Sequence, residues 1–290
     1  MRPIVPILPA LALSFPMSLS ANTQVPSPAP GLVSYTYFQP AKVTQAQQAE
    51  VTQIDTELKL PLGVSGNPKD GLFVYQARIH EREFRTEVDG QSASKQRLYD
   101  ISVPISFIKV RDSSSRWIAN LSPGVKSSLE FFGTDDLALT GMGQYRYQGP
   151  THGYGIGLVY THAFGEGRFV PLANYLYHPS PNVELTLGFP YTRASYAPTP
   201  SQHYYLKALP TGGNWHVYDP DDKDIKFDYS QKGVRIGIGT EQALSQQFWL
   251  NLEGGVQVSQ ELEFDNEQGI QETLELEDSA YVQVSLQFRP

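Results

Sequence analysis

The 290-residue chain has no cysteine, and beyond its first residues it has no apolar run as long as a membrane-spanning helix. The first absence excludes a disulfide-stapled secreted domain, and the second excludes a helical membrane protein. Basic residues are few and scattered: 22 Lys and Arg stand against 30 Asp and Glu, for a net charge of −8. Because nucleic-acid binding needs clustered Lys and Arg to neutralise phosphates, it is excluded as well.

Alternation of apolar and polar residues is what the chain has instead. In the last strand-length segment, one face carries apolar residues and the opposite face carries Gln283, Ser285 and Gln287. A period of two that ends on an aromatic near the C-terminus is typical of a bacterial outer-membrane β-barrel. The residues that we expect to face lipid here are Leu274, Leu276, Ala280, Val282, Val284, Leu286 and Phe288.

The same alternation predicts an all-β chain with about twelve strands and a range of ten to fourteen. An even number lets both ends of the chain lie on one side of the membrane. The fold class that we predict is a closed antiparallel transmembrane β-barrel over residues 49–290. The predicted strands are 49–62, 71–88, 95–111, 115–132, 136–148, 153–164, 168–178, 182–196, 202–218, 225–239, 246–264 and 272–289.

The N-terminal region is predicted to lie outside this barrel. Residues 1–21 combine Arg2, an apolar stretch from Ile4 to Met17 and a small-residue end, which is typical of a secretory signal peptide. Residues 22–48 are predicted to be a flexible lead-in, in which Leu32 to Gln48 could form an extra strand or a plug. We therefore expect export, cleavage and residence in the outer membrane of a Gram-negative bacterium.

A resemblance rests on the stretch Phe169-Val-Pro-Leu-Ala-Asn-Tyr-Leu-Tyr-His-Pro-Ser-Pro-Asn-Val-Glu-Leu-Thr-Leu-Gly-Phe-Pro190. It is similar to the best-kept part of a family of predicted bacterial outer-membrane β-barrels catalogued as a domain of unknown function. The turn Pro179 to Asn182 and the strand end Leu187 to Pro190 carry most of the match. The resemblance implies an outer-membrane barrel and supplies no site residues, because the family has no assigned activity.

Charged residues on predicted inward faces are the candidates for function. Five are basic and four are acidic, so they could pair with one another and close a narrow lumen. Alternatively, they could line a narrow selective pore, because rings of charge are how pores discriminate among ions. The lumen-lining candidates are Arg78, Arg82, Asp100, Lys126, Glu130, Arg146, Glu184, Arg235 and Glu253.

Two other patterns could indicate metal binding or catalysis. The loop from Asp219 to Asp224 has four carboxylates that could bind Ca²⁺, but it is better explained as a solvated external loop. His178 and Ser180, with Glu184 nearby, have the spacing of a barrel lipid A deacylase, but the flanking prolines predict a turn. We therefore expect no enzyme activity, no cofactor and no metal.

The leading hypothesis is a porin-like outer-membrane barrel, either a narrow channel for small solutes or a closed structural barrel. A soluble secreted or periplasmic all-β binding protein would show the same alternation turned inside out, and a lipid-modifying barrel enzyme is a distant third. The expected partners are outer-membrane lipid, lipopolysaccharide and, through the C-terminal strand, the barrel-assembly machinery, with the oligomeric state left open. Prolines inside predicted strands conflict with this fold, because each removes a ladder hydrogen bond. They are Pro104, Pro123, Pro171 and Pro190.

Overall fold

The computed structural model describes residues 30–131, 133–218, 226–266 and 271–289, and these are almost entirely β-strand. The exception within them is a single turn of 3-10 helix at Thr134–Asp136. The strands are β1 Gly31–Phe38, β2 Ala41–Val43, β3 Ala46–Asn67, β4 Gly71–Val88, β5 Gln91–Ser102, β6 Ile105–Val110, β7 Ser115–Ser127, β8 Leu137–Gln148, β9 His152–Thr161, β10 Arg168–Ser180, β11 Val183–Phe189, β12 Thr192–Thr199, β13 Gln202–Tyr218, β14 Lys226–Ala243, β15 Phe248–Asn266, β16 Gln271–Leu276 and β17 Ser279–Phe288.

The strands form one antiparallel sheet that closes into a ring. Successive crossings of the wall pair with each other, and β1 completes the circle by pairing with β17 on one side and β3 on the other. A single parallel bridge also joins Ser127 of β7 to His216 of β13. The predicted closed β-barrel is therefore confirmed. Among the described residues there are seventeen strands, but β1/β2, β5/β6 and β16/β17 each continue along one line, which gives fourteen wall crossings.

The barrel has two more crossings than the twelve predicted. The segment 182–196 was expected to be one strand, but it holds most of the hairpin β11–β12, with its turn at 190–191. Residues 31–43 supply the other crossing, as β1 and β2. The signal peptide at 1–21 lies outside the described residues.

The two ends of the barrel differ. Gly31 pairs with Phe288, so the first and last strands meet at what we call the terminal end. The six turns at this end are short: 68–70, 111–114, 149–151, 181–182, 200–201 and 244–247. The opposite end, which we call the far end, carries the hairpins that extend furthest, such as β4–β5, β13–β14 and β15–β16.

An apolar belt surrounds the outside of the wall below the far end. It follows from the alternation, because one face of each strand carries large hydrophobic residues that remain exposed. Ile238 on β14 is 68% exposed. Other exposed residues of the belt are Val33, Tyr35, Ile79, Ile101, Leu121, Leu139, Ile156, Leu158, Leu187, Leu206, Ile236, Leu252, Val282, Val284 and Leu286.

Aromatic pairs on neighbouring strands mark the terminal edge of the belt. Trp117 lies 5.1 Å from Tyr145, and Tyr147 lies 5.3 Å from Tyr154, between ring centroids. Phe73 with Phe107 and Phe248 with Phe288 form further pairs at 5.0 and 5.6 Å. Aromatic residues at this level are typical of the girdle that barrels place at a membrane interface.

At the far end the polarity of the strands is reversed. Inward side chains there form an apolar core, whereas outward positions carry charge. Leu276 belongs to this core, although the alternation predicted that it faces lipid, because the break at 277–278 between β16 and β17 changes which face its side chain occupies. The core residues are Ala41, Val43, Val51, Phe84, Leu98, Trp215, Val217, Tyr229, Leu262 and Leu276.

The prolines that conflicted with a closed sheet sit where the sheet is interrupted. Pro104 lies in the break between β5 and β6, and Pro190 lies in the β11–β12 turn. Pro123 accepts a hydrogen bond from Val103 N (2.9 Å) across the same break. Pro171 lies on the part of β10 that pairs with β9 alone, so its missing N–H faces an edge.

That edge belongs to a gap in the ladder between β10 and β13. The hairpin β11–β12 is short, with strands of 7 and 8 residues. It pairs with β10 from Ala173 onward and with β13 as far as Ala208. Towards the far end, β10 and β13 therefore face each other without a strand between them, and the connection 162–167 crosses this gap.

Candidate functional site

The lumen holds an internal cavity of about 610 Å³. Five of the nine predicted lumen-lining residues line it: Arg78, Arg82, Asp100, Lys126 and Arg235. They come from β4, β5, β7 and β14, and they meet because alternate residues of each strand point inward. Charged side chains from these four strands therefore line part of the cavity, which lies below the apolar core.

The other four predicted residues lie elsewhere. Glu253 points inward but lies nearer the terminal end, buried among tyrosines. Arg146 and Glu184 lie close to each other on the wall near the terminal end. Glu130 was expected on an inward face of a strand ending at 132, but β7 ends at Ser127, and Glu130 is exposed in the connection to β8. The structure thus gathers five candidates at the cavity and leaves Glu130 out of the lumen.

Hydrogen bonds cross the lumen just below the apolar core. Asp55 on β3 accepts from Arg82 Nε at 3.1 Å and from Arg235 Nη2 at 2.6 Å. Arg235 belongs to β14, which is not a neighbour of β3 in the wall. Gln231 on β14 donates to Gln53 on β3 at 2.7 Å and accepts a hydrogen bond from Arg82. Facing walls are therefore joined through this polar layer.

Cation–π contacts join the polar layer to the apolar core above it. The Arg82 guanidinium lies 5.2 Å from the Trp215 ring, and that of Arg235 lies 4.5 Å from Phe38. Such contacts let a buried guanidinium pack against aromatic rings without losing its ion pair. The core and the polar layer are therefore stacked on each other at the far end of the lumen.

A second charge cluster lines the cavity wall. Arg78 Nε donates to Glu57 at 2.6 Å, and its Nη1 donates to Asp100 at 2.9 Å. Lys126 lies 3.9 Å from the same Asp100 carboxylate, at the limit of an ion pair. Its ammonium is therefore less closely neutralised than the Arg78 guanidinium.

Nearer the terminal end, Glu253 is held by two tyrosines and a lysine. Tyr281 donates to its Oε1 at 2.7 Å, Tyr205 donates to its Oε2, and Lys207 Nζ lies 2.7 Å away. The rings fit because Gly237 and Gly239 on the adjoining strand have no side chain: a Cβ on Gly239 would lie 2.5 Å from Tyr205. Glu253 is thus fully satisfied and serves to order the wall.

Glu184 forms the inward cluster closest to the terminal end. His178 Nε2 and Glu184 Oε2 are 3.0 Å apart, beside a second cavity of about 510 Å³ that Arg116 also lines. The side chain of His178 is buried, whereas Ser180 is exposed at the end of β10. The segment continues β10 through Ser180 where a turn was predicted, and the turn follows at 181–182.

Several inward charges were missed from the sequence. Asp55 and Glu57 lie within the predicted strand 49–62, whereas Glu241 lies just beyond the predicted strand 225–239, because β14 continues to Ala243. Each has basic partners. The signal was present on β3, where Gln53, Asp55, Glu57 and Lys59 alternate with Ile54, Leu58 and Leu60. The period of two on this strand therefore places Asp55 and Glu57 on the inward face.

The outer face of the far end is charged. Glu83, outside the apolar belt, accepts from Arg85 Nε at 2.5 Å and Arg97 Nε at 2.9 Å, and Lys95 Nζ lies 3.0 Å away. Burial alone would raise the pKa of this carboxyl, but hydrogen bonds from Lys95, Arg85 and Arg97 lower it to about 2. On the opposite hairpin, Lys232 bridges Glu261 and Glu263 at 2.7 and 2.8 Å.

Other candidate sites receive no support from the described part of the chain. It contains no helix long and apolar enough to span a membrane, and no group of three His, Asp or Glu placed to hold a metal ion. The carboxylate loop from Asp219 to Asp224 lies outside the described residues.

The chain belongs to the family described as Domain of unknown function (DUF6268), whose model matches residues 23–289. The resemblance inferred from residues 169–190 is therefore confirmed as membership of a family without an assigned activity. No curated protein matches the chain in sequence.

Solved barrels resemble the chain only distantly. The NanC porin is 9% identical with a TM-score of 0.42, over 90% of this chain and 100% of that one. The Pseudomonas putida toluene transporter TodX is 12% identical with a TM-score of 0.38, over 90% and 89%. Pseudomonas aeruginosa OccK5 (OpdH) is 9% identical with a TM-score of 0.32, over 90% and 98%. At scores this low, the likeness carries no inference about function.

Proposed function

We propose that the protein is an integral outer-membrane β-barrel of a Gram-negative bacterium, closed to ions at its far end. The observation that carries the membrane location is the inside-out wall: exposed apolar side chains surround the outside, while buried charges line the lumen. Such an apolar exterior is stable against lipid acyl chains, whereas in water it would leave a large apolar surface exposed. A soluble all-β binding protein would have the reverse arrangement along the whole wall.

The proposed closure rests on two layers at the far end. The apolar core fills the mouth with side chains from β2–β5 and β13–β16, and the hydrogen bonds of Asp55, Arg82, Arg235 and Gln231 cross the lumen beneath it. Ions would have to displace both layers. The short turns and the two chain ends face the periplasm in this orientation, as in bacterial single-chain barrels.

Ion conductance in a planar bilayer tests the closure. The purified barrel is first checked by comparing unboiled with boiled protein on a gel, where a folded barrel migrates differently. We expect a folded barrel that gives no discrete current steps at neutral pH. Steady single-channel steps would contradict closure and favour the second candidate, a narrow channel.

The cavity lined by charge is what favours that second candidate. If current steps occur, replacing Arg78, Arg82 and Arg235 together by glutamine should change the ion preference, because these three cations line the lumen cavity. An unchanged preference would remove these residues from the pore. Lys109→Gln, exposed at the terminal end, is the matched control.

A further inference from the structure

The gap between β10 and β13 is bridged by one connection, residues 162–167, which we call the strap. Phe164 forms a bridge with Lys232 of β14, and Ser230 Oγ donates to Gly165 O at 2.8 Å. The Phe164 ring also stacks on Phe189 at the tip of the β11–β12 hairpin, 6.1 Å between centroids. The strap therefore crosses from β9–β10 to β14 over the missing part of the wall.

Glycines allow the strap to turn and to lie close to β13. Gly165 has φ +88°, a backbone conformation that other residues rarely adopt. On β13, a Cβ at Gly212 would lie 2.7 Å from the carbonyl oxygen of Ala163, so the bare backbone lets the strap approach the strand edge. The strap adds one isolated bridge to β14, so its separation from β13 and β14 would leave the ladders on either side intact.

The cavity lies directly behind the strap. Near the gap its lining mixes the apolar side chains of Ala163, Leu209, Val159 and Met142 with the polar ones of Thr140, Thr161, His162 and Thr211. The cavity lining as a whole carries more positive than negative charge. Its basic residues are Lys59, Arg78, Arg82, Lys126 and Arg235, and its carboxylates are Asp55, Glu57 and Asp100.

The outer surface at the gap belongs to the apolar belt. Phe169 on β10 is 70% exposed, and Phe189 and Val234 are exposed on the other strands that border the gap. Charged residues begin just beyond, at Glu166 of the strap and at Lys232. The gap thus lies where the belt meets the polar far end, which is the level of lipid headgroups.

We propose that the cavity binds a single-chain amphiphile with an anionic headgroup, which enters sideways from the outer leaflet between β10 and β13 when the strap moves. The acyl chain would lie along Leu209, Val159 and Met142, and the headgroup would reach Lys126, whose carboxylate partner is 3.9 Å away. A cavity of about 610 Å³ has the size of ordinary small-molecule sites. This inference rests on the proposed membrane location.

A disulfide that fixes the strap tests the path. The chain has no cysteine, so Phe164→Cys with Lys232→Cys adds one pair at facing bridge positions, whose spacing suits a disulfide. With the barrel in lipid vesicles and a long-chain fatty carboxylate carrying a fluorophore as probe, we expect association about tenfold slower when oxidised and restored on reduction. The control pair is Glu87→Cys with Ser92→Cys, across the β4–β5 hairpin.

A charge variant tests the headgroup. We expect Lys126→Gln to weaken binding of the fatty carboxylate about fivefold and to leave binding of the matching fatty alcohol unchanged. Lys109→Gln, exposed on β6, is the control. A lysophospholipid with a phosphate headgroup, run in parallel, distinguishes a phosphate ligand from a carboxylate ligand.

Equal association in the oxidised and reduced forms would overturn the lateral path. Binding of the alcohol as tight as that of the anions, with no effect of Lys126→Gln, would overturn the anionic headgroup. Every variant is first tested for vesicle flotation and for the gel shift on boiling. Failure of the parent protein in those two tests would contradict the membrane location itself, whereas a floating, folded barrel that binds no probe would contradict this inference alone.

Discussion

The wall below the far end and the far end itself are built from the same strands with opposite polarity. On β3, Asp55 and Glu57 face the lumen while Leu60 is exposed outside. Beyond the polar layer, Phe84 of β4 and Tyr229 of β14 face inward, and Glu83 lies outside with its basic partners. The same strands therefore carry an apolar exterior around the middle of the barrel and a charged exterior at its far end.

On β4 the reversal lies in the sequence alone, because Arg82 and Phe84 both face inward from one unbroken strand. On other strands the backbone also changes which side chains face inward. β14 and β15 shift register between Lys232 and Val234, and the pairs β1/β2 and β16/β17 are broken at 39–40 and 277–278. A break of two residues with an irregular backbone lets the strand resume with the other face inward. The polar layer of Asp55, Arg82 and Arg235 lies at this boundary.

The largest effect on this comparison should come from Asp55, which ties the two regions together. Asp55→Ala leaves Arg82 and Arg235 buried without their shared carboxylate, and removing one partner of a buried pair costs about 3–5 kcal/mol. We expect that loss in the free energy of unfolding, measured by urea titration of the barrel folded in vesicles. Asp278→Ala, exposed in the break before β17, is the control and should change it little. Equal effects of the two variants would show that the polar layer does not join the walls.

The polarity difference itself is tested by placing the same charge outside each region. Ile238→Arg puts a cation on the apolar belt and should cost about 2–4 kcal/mol in the same titration, as for lipid-facing sites near mid-membrane. Ser92→Arg puts it on the exposed far-end hairpin, where water solvates it, and should cost almost nothing. If Ile238→Arg left the free energy of unfolding unchanged, the belt would lie in water, which would contradict the membrane location.

The smallest expected effect concerns pH at the far end. Because the pKa of Glu83 is lowered to about 2 in the folded protein, its ion pairs stabilise the fold fully above the ordinary carboxyl pKa. That contribution is lost as the pH falls from the ordinary value through about 2. Its basic partners are about half exposed, so we expect about 1 kcal/mol or less.

The measurement is the difference in unfolding midpoint between wild type and Glu83→Gln. It should be present at pH 7 and shrink towards pH 3. A difference that grows on acidification would mean that Glu83 is not held ionised by Lys95, Arg85 and Arg97.

The sequence predicted the barrel because alternation is local and each strand reports its own two faces. It could not predict the far-end core, since Leu98, Trp215 and Leu262 meet only after hairpins from opposite sides of the ring fold together. The strands β11 and β12 were read as one because apolar residues run up to Phe189 without an interruption before Pro190. Turn geometry, and not polarity, separates them.

The candidate site was predicted in part for a related reason. Inward charges could be found strand by strand, but partners across the lumen, such as Asp55 and Arg235, are 180 residues apart. No pattern within one strand indicates such a pair. Glu130 was misplaced because β7 ends at Ser127, where Leu129 adopts φ +63° and its N–H donates to Ser127 Oγ in place of a ladder.

The seam between β1 and β17 also governs how the molecule can assemble. Residues 31–38 pair with residues 281–288, so the ring closes through the contact most distant in the chain among the described strands. Closing a loop of this length is slow, and long-range β pairing is the step that folding rates penalise most. Until it occurs, the growing sheet has two open edges able to join other chains. Ring closure is therefore the step that removes the last open strand edges, while the apolar belt remains exposed.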